Sequence, residues 1–109
     1  MIIIVTGGRS FSDADLIHSF LNEHNPELVV QGGCTGADEI ARNWCKLSGK
    51  ECVTINADWD IFGKSAGPRR NMKMLKSYPN AIVVAFKGGS GTRNCVEMAK
   101  KLAMKVIEL

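Results

Sequence analysis

A chain of 109 residues, 45% hydrophobic and 23% charged, has the length of one small domain spanning residues 1–109. A net charge of +3 with this apolar content excludes a disordered chain, and the mild basic excess suits an anionic ligand without predicting a nucleic-acid groove. No apolar run approaches the roughly 20 residues that cross a bilayer. The opening Met1–Val5 run has no basic leader and meets Thr6-Gly7-Gly8 at once, so neither a membrane span nor a signal peptide is expected.

In chain order, short apolar runs alternate with helical patterns. Ile2–Val5 is a β-branched run ending at Gly7-Gly8. Ser12, with Asp15 three residues on, reads as the cap of a first helix whose face is Leu16, Ile17, Phe20 and Leu21. Asn25-Pro26 stops that helix, and Leu28–Val30 forms a second strand ending at Gly32-Gly33. A second helix begins at Thr35, carries Ala37, Ile40, Ala41, Trp44 and Leu47, and stops at Gly49. Cys52–Ile55 is a weaker third strand. Pro68 suits the first turn of a third helix carrying Met72 and Leu75. Ala81–Phe86 ends at Gly88-Gly89 and precedes a fourth helix with Val96, Ala99, Leu102 and Ala103. Lys105–Leu109 closes the chain. Strands alternating with helices predict an α/β, Rossmann-like three-layer sandwich with a five-stranded parallel sheet in the order 3-2-1-4-5.

Three strand ends carry glycine-rich loops: Gly7-Gly8-Arg9-Ser10, Gly32-Gly33-Cys34-Thr35-Gly36 and Gly88-Gly89-Ser90-Gly91-Thr92. Glycine lets main chain approach a ligand, and the helix start that follows offers free N–H groups to phosphate or carboxylate. In the predicted strand order the loops after strands one and four face each other where the winding reverses, the place such folds bind ligands. None of the loops is a P-loop, and Gly7–Phe11 does not complete G-x-G-x-x-G, which disfavours an ordinary NTPase and a standard dinucleotide oxidoreductase.

Asn56–Gly67 is long for a strand-to-helix connection and leads into Gly67-Pro68-Arg69-Arg70-Asn71. Basic residues at a helix start oppose the dipole, a cost that an anionic ligand offsets; the alternative is a solvated basic face. Arg70 and Asn71 are the first choices for ligand contact, whereas Lys73 and Lys76 read as surface charges. Asp38 and Glu39 complement the second helix dipole, or Asp38 hydrogen-bonds a ribose hydroxyl. Asp58 and Asp60 flank Trp59, which either stacks on a base or anchors the loop. Trp44 reads as core, and His18 and His24 as surface. The four cysteines form no C-x-x-C pair and lie far from the histidines, so no metal, cofactor or disulfide framework is expected, and a reducing cytoplasm is the default.

Thr6–Phe11, Gly32–Asp38, Ala57-Asp58-Trp59, Gly63-Lys64, Ala66–Asn71 and Gly88–Thr92 together resemble the SLOG superfamily, in the branch of small bacterial and phage proteins related to YspA and YpsA. The superfamily takes its name from Smf/DprA DNA-processing proteins and the Lonely Guy enzymes. The resemblance implies a Rossmann-like fold that binds a nucleotide or an ADP-ribose-derived ligand at the glycine loops, sensing or sequestering a signalling nucleotide. It also implies a homodimer or higher homo-oligomer. Lonely Guy enzymes cleave the N-glycosidic bond of nucleoside monophosphates. Arg70 matches their arginine, but Asn71 stands at their lysine, Lys87 at their proline and Cys95 at their glutamate. Glu97 lies two residues further, on another side of the helix. A phosphoribohydrolase would therefore need Arg70 with a relocated carboxylate, Asp38, Asp58 or Glu97 being the candidates. Binding of single-stranded DNA, as in DprA-like members, calls for a basic track with stacking aromatics, and 6% aromatic content does not favour it.

Overall fold

Five consecutive β-branched residues extend as β1 (Ile2–Thr6), because two heavy groups on Cβ are crowded in a helix and fit a pleated strand. The computed structural model describes all residues from Met1 to Leu109. After β1 come α1 (Ala14–His24), β2 (Leu28–Gln31), α2 (Ala37–Ser48), β3 (Glu51–Thr54) and a short α3 (Trp59–Phe62). A 3-10 turn at Gly63–Ser65 leads into α4 (Ala66–Ser77), followed by β4 (Ile82–Ala85), α5 (Ser90–Lys101) and β5 (Val106–Glu108). The strands are all parallel in the order β3-β2-β1-β4-β5. This is the α/β Rossmann-like sandwich predicted, with β1 central and β4 across the point where the winding reverses.

Period-two alternation sends β1 side chains to two cores. Ile3 and Val5 pack with Ile17, Leu21, Ala41 and Trp44 of α1 and α2. Ile4 packs with Met74, Leu75, Cys95 and Ala99 of α4 and α5. Both faces are covered, which is why the central strands read as unbroken apolar runs.

The helices depart from expectation in several places, α2 among them, which starts at Ala37 with Gly36 as its cap rather than at Thr35. The α1 cap is Asp13, whose carboxylate accepts from Leu16 N at 3.1 Å, and Ser12 lies one residue outside. A charged acceptor both satisfies that N–H and complements the dipole. On α2, Leu47 is 80% exposed. The buried residues Ala37, Asp38, Ala41, Trp44 and Cys45 lie within about 60° of Ala41 at 3.6 residues per turn, and Leu47 lies about 120° away. Finally, α5 ends at Lys101 and Ala103 adopts φ 57°, so Leu102 and Ala103 belong to the turn into β5 rather than to the helical face. Gly49 (φ 67°) ends α2 as expected.

Candidate functional site

The three glycine loops meet at the carboxyl ends of β1, β2 and β4, held together mostly by main chain. Gly8 N donates to Lys87 O at 3.0 Å, and Ala37 N donates to Gly8 O at 3.2 Å. The Thr35 hydroxyl donates to Arg9 O at 3.1 Å. Gly36 has φ 74°, and a Cβ there would collide with Gly8 O and the Arg9 main chain. A Cβ on Gly88 would lie 2.6 Å from Gly8 N. These glycines exist so that loop can touch loop. Gly89 and Gly91 are different: beyond the adjoining chain, nothing lies within 4 Å of a Cβ built on either. They face open space at the start of α5, where no side chain caps the helix.

That open space is a cleft of about 540 Å³. Its floor includes Thr6, Gly7 and Gly8, one side carries Gly32, Cys34 and Asp38, and the other carries Arg70, Asn71 and the Gly89–Thr92 turn. Arg9, Trp59 and Lys64 stand at its mouth. The sequence candidates Gly7, Gly8, Arg9, Gly32, Asp38, Arg70, Asn71, Gly89, Ser90, Gly91 and Thr92 thus converge. Gly33, Thr35 and Gly36 do not line the cleft. Gly36 and Thr35 tie one loop to another, and a Cβ on Gly33 would strike the Asn56 side chain. Ser10 and Gly88 border a separate depression. Glu97 is exposed on α5 and lies outside the cleft lining.

Arg70 is held without an ion-pair partner. Its Nη1 donates to Gly32 O at 2.6 Å and its Nε to Asn71 Oδ1 at 2.9 Å, and the chain's two salt bridges lie elsewhere, at Met1–Glu27 and Lys100–Glu108. A guanidinium bonded only to neutral acceptors keeps its charge available to an anion. A Cβ on Gly32 would strike the guanidinium and push it out of this position. Asn71, buried, spends its amide on the fold: Nδ2 donates to Gly91 O at 3.3 Å and to Asn94 Oδ1 at 3.1 Å.

Asp38 is 5% exposed. Its Oδ2 accepts from Gly32 N at 3.1 Å and from Cys34 N at 3.3 Å, shaping the β2–α2 loop. Its Oδ1 is buried with no hydrogen-bond partner. Burial raises the carboxyl above the ordinary range, against the Cys34 N–H, the Arg70 charge, the Gly32 N–H and the Arg42 charge. Cys95 packs in the α4–α5 core, and burial pushes its thiol up to about 11.

Sequence reasoning missed a brace behind the loop. Gln31, fully buried at the end of β2, accepts from Gly33 N at 2.7 Å and from Arg42 Nη1 at 3.0 Å, while its amide donates to Thr54 Oγ1. Arg42 Nη1 also donates to Cys34 O at 3.3 Å. The available signal was a glutamine closing an apolar run. The 56–67 connection also differs from a loop pinned to the core: Trp59 is 47% exposed, with Arg9 stacked at 5.5 Å from its ring, and Phe62 is half exposed beneath Arg69. Asp58 caps α3 through Ile61 N.

Fold and cleft define a Rossmann-like α/β domain with its ligand-sized opening at the strand crossover. The family model described as the YspA, cpYpsA-related SLOG family (YAcAr) matches residues 1–62. The Gene 61 protein of Mycobacterium phage D29 is 32% identical over 116 residues, covering 96% of this chain and 93% of the phage protein. The chain therefore belongs to the YspA, cpYpsA-related SLOG family. Among solved structures, DNA processing protein A (DprA) from Streptococcus pneumoniae superposes with a TM-score of 0.81 at 18% identity over 97% of this chain. The chain spans about half of that DprA chain, 49%. TM1055, a structural-genomics target, superposes with a TM-score of 0.74 at 21% identity, over 96% of this chain and 71% of its own. No helix is long and apolar enough to cross a membrane.

Proposed function

We propose that the cleft binds a phosphate-bearing nucleotide of the ADP-ribose type and releases it unchanged. The carrying observation is the pairing, in one 540 Å³ cleft, of an Arg70 guanidinium that has no carboxylate partner with a buried Asp38 oxygen that has no donor. A bound anion beside Arg70 and a sugar hydroxyl at Asp38 satisfy both. Uncapped N–H groups at the start of α5 add to the phosphate end. Trp59, half exposed at the mouth, offers a face to a base. Membership of a SLOG family supports a nucleotide-related ligand.

A phosphoribohydrolase activity is the second reading, favoured by one observation: Asp38 is a carboxylate within the cleft itself. Against it, Cys95, at the position of the Lonely Guy glutamate, is core-packed and carries no carboxylate.

One experiment separates them. The protein is incubated with AMP, ADP-ribose and cyclic nucleotides, retained masses are read by native mass spectrometry, and the pool is followed in time. One intact nucleotide retained with nothing consumed supports binding; released base and ribose phosphate, abolished by Asp38→Asn, supports the hydrolase. In either case Arg70→Ala removes a charged hydrogen bond and weakens binding by about 10–150-fold, corresponding to about 1.5–3 kcal/mol. An Arg70→Ala affinity within about twofold of wild type, far below that range, would show that the anion lies elsewhere.

A further inference from the structure

Four free cysteines are spread over the chain, and one of them opens on the cleft. Cys45 and Cys95 are buried in the two cores. Cys52 is half-buried on the edge strand β3, where it packs against the α1–α2 core and accepts from Gln31 Nε2 at 3.6 Å. Cys34 is also half-buried, but it sits in the β2–α2 loop and lines the cleft. Its main chain is pinned from both sides: Cys34 N donates to Asp38 Oδ2 at 3.3 Å, and Cys34 O accepts from Arg42 Nη1 at 3.3 Å. The thiol is thus carried on a fixed loop, with Arg70 Nη1 4.0 Å from its sulfur, the outer limit of an N–H···S contact.

Two groups beside this thiol want partners. Arg70 forms no ion pair. Asp38 is 5% exposed, and its Oδ1 accepts from nothing. Lys64 and Arg9 add positive charge at the mouth, and Asp38 is the one carboxylate in the cleft lining. A molecule entering therefore meets, around one sulfur, a guanidinium free to take an anion and a buried oxygen free to take a donor. A carboxylate suits the first, an N–H or ammonium suits the second, and a disulfide suits the thiol. Disulfides of amino acids and short peptides carry all three groups in one small molecule, and a cleft of about 540 Å³ has room for one half of such a molecule.

We propose that Cys34 is a thiol–disulfide exchange site for anionic, low-molecular-weight disulfides built from an amino acid or a short peptide. The Cys34 thiolate attacks one sulfur of the reagent. A bond forms between Cys34 Sγ and that sulfur, the reagent's own S–S bond breaks, and the departing half leaves as a thiolate that takes up the proton Cys34 released. Cys34 is oxidised and the departing half reduced, so no further oxidant enters. The retained half lies in the cleft with its carboxylate on Arg70 and its N–H or ammonium at Asp38 Oδ1, and it closes the cleft to other anions. The site is defined by the cleft and its thiol and needs no nucleotide there.

The test exposes the intact, reduced chain at about pH 8 to glutathione disulfide and, separately, to the neutral bis(2-hydroxyethyl) disulfide, with adducts at each cysteine timed by peptide mapping. The neutral reagent reads how readily each thiol reacts, so the ratio of the two rates isolates what the cleft adds. Cys52, equally half-buried but outside the cleft, is the internal reference. A cleft lined by one sign of charge raises encounter with the opposite sign by about tenfold or more. The preference for glutathione disulfide over the neutral reagent should therefore be at least about tenfold greater at Cys34 than at Cys52. Arg70→Gln should remove most of that preference. Lys64→Ala, at an exposed position, should reduce it, as should about 0.5 M sodium chloride with the wild-type chain. Thermal melting confirms the fold of each variant, and the salt series needs no variant. An equal preference at Cys34 and Cys52, or one at Cys34 that persists in Lys64→Ala and at high salt, overturns the site.

Discussion

Asn71→Ala tests whether the cleft is built before a ligand arrives. If Asn71 were chiefly a ligand contact, its loss would change affinity and leave stability alone. The structure says otherwise, because the side chain joins α4 to α5 through Gly91 O and Asn94 Oδ1 and receives Arg70 Nε on its own oxygen. Three hydrogen bonds at a net value of about 0.5–1.5 kcal/mol each bracket the loss at about 1.5–4.5 kcal/mol. Arg70, Asn94 and Gly91 all line the cleft and regain some hydration, which keeps the figure inside that bracket rather than above it. With a urea slope of about 2 kcal/mol per molar, the middle of the usual range, the unfolding midpoint should fall by about 1–2 M. Urea titration by far-UV circular dichroism at pH 7, with no ligand added, reads this directly. A loss below about 1 kcal/mol at unchanged slope would refute the brace and return Asn71 to the role of ligand contact.

Three other outcomes follow from the same geometry. Burial raises the Asp38 pKa, so the folded chain holds that proton more tightly than the unfolded one and stability falls as pH climbs from the ordinary carboxylate pKa through the raised one. Asp38→Asn, neutral and of the same shape, should therefore be more stable than wild type at pH 7, with the gain vanishing toward about pH 4; a less stable variant at pH 7, by urea midpoint, contradicts the burial argument. Nucleotide binding should alter the fluorescence of Trp59 and not that of Trp44, which is 3% exposed and bonded to Asn22. Trp59→Phe should silence the response, and a quench that persists places the ligand away from the cleft mouth. Burial pushes the thiols of Cys45 and Cys95 up to about 12 and about 11, so iodoacetamide at pH 8 should label the half-buried Cys34 and Cys52 first. Ligand should protect Cys34, which lines the cleft, and spare Cys52; peptide mapping that finds Cys95 labelled early would contradict the packing.

Much of this was legible in the chain. The strands were legible as β-branched runs broken by glycine pairs, because a strand buried on both faces leaves an apolar stretch and its βα turn demands small residues; their order was taken from the arrangement common to such folds, and the sheet adopts it. Arg70 stood out because basic residues at a helix start oppose the dipole unless an anion offsets them. What escaped were choices made by geometry finer than residue type. Ser12 and Asp13 are both competent caps, and only the path of the chain decides between them. Leu47 shares its helix with the core residues but not their angle. Gly36 and Gly89 are the same letter, yet one is pressed against a neighbouring loop and the other stands in the open. Asp38, a helix-dipole residue by position, folds its own loop with one oxygen and leaves the other buried without a partner. The Gln31–Arg42 brace joins a strand to a helix side chain, a tertiary pairing that local pattern does not encode.

The loop-to-loop bonds among Gly8, Lys87, Ala37, Arg9 and Thr35 carry a consequence for how affinity divides between order and contact. A recognition surface made of main chain locked to main chain has already lost its freedom during folding. A ligand arriving there orders little except the Arg9 and Trp59 side chains and whichever lysines it engages, at about 0.5–1.5 kcal/mol per side chain immobilised. On the proposed reading, recognition is thereby split between a stiff floor that would hold the phosphate and a few adjustable side chains at the mouth that would choose what the phosphate is attached to. Substitution at the mouth can retune selectivity while the floor, and the fold beneath it, stay as they are.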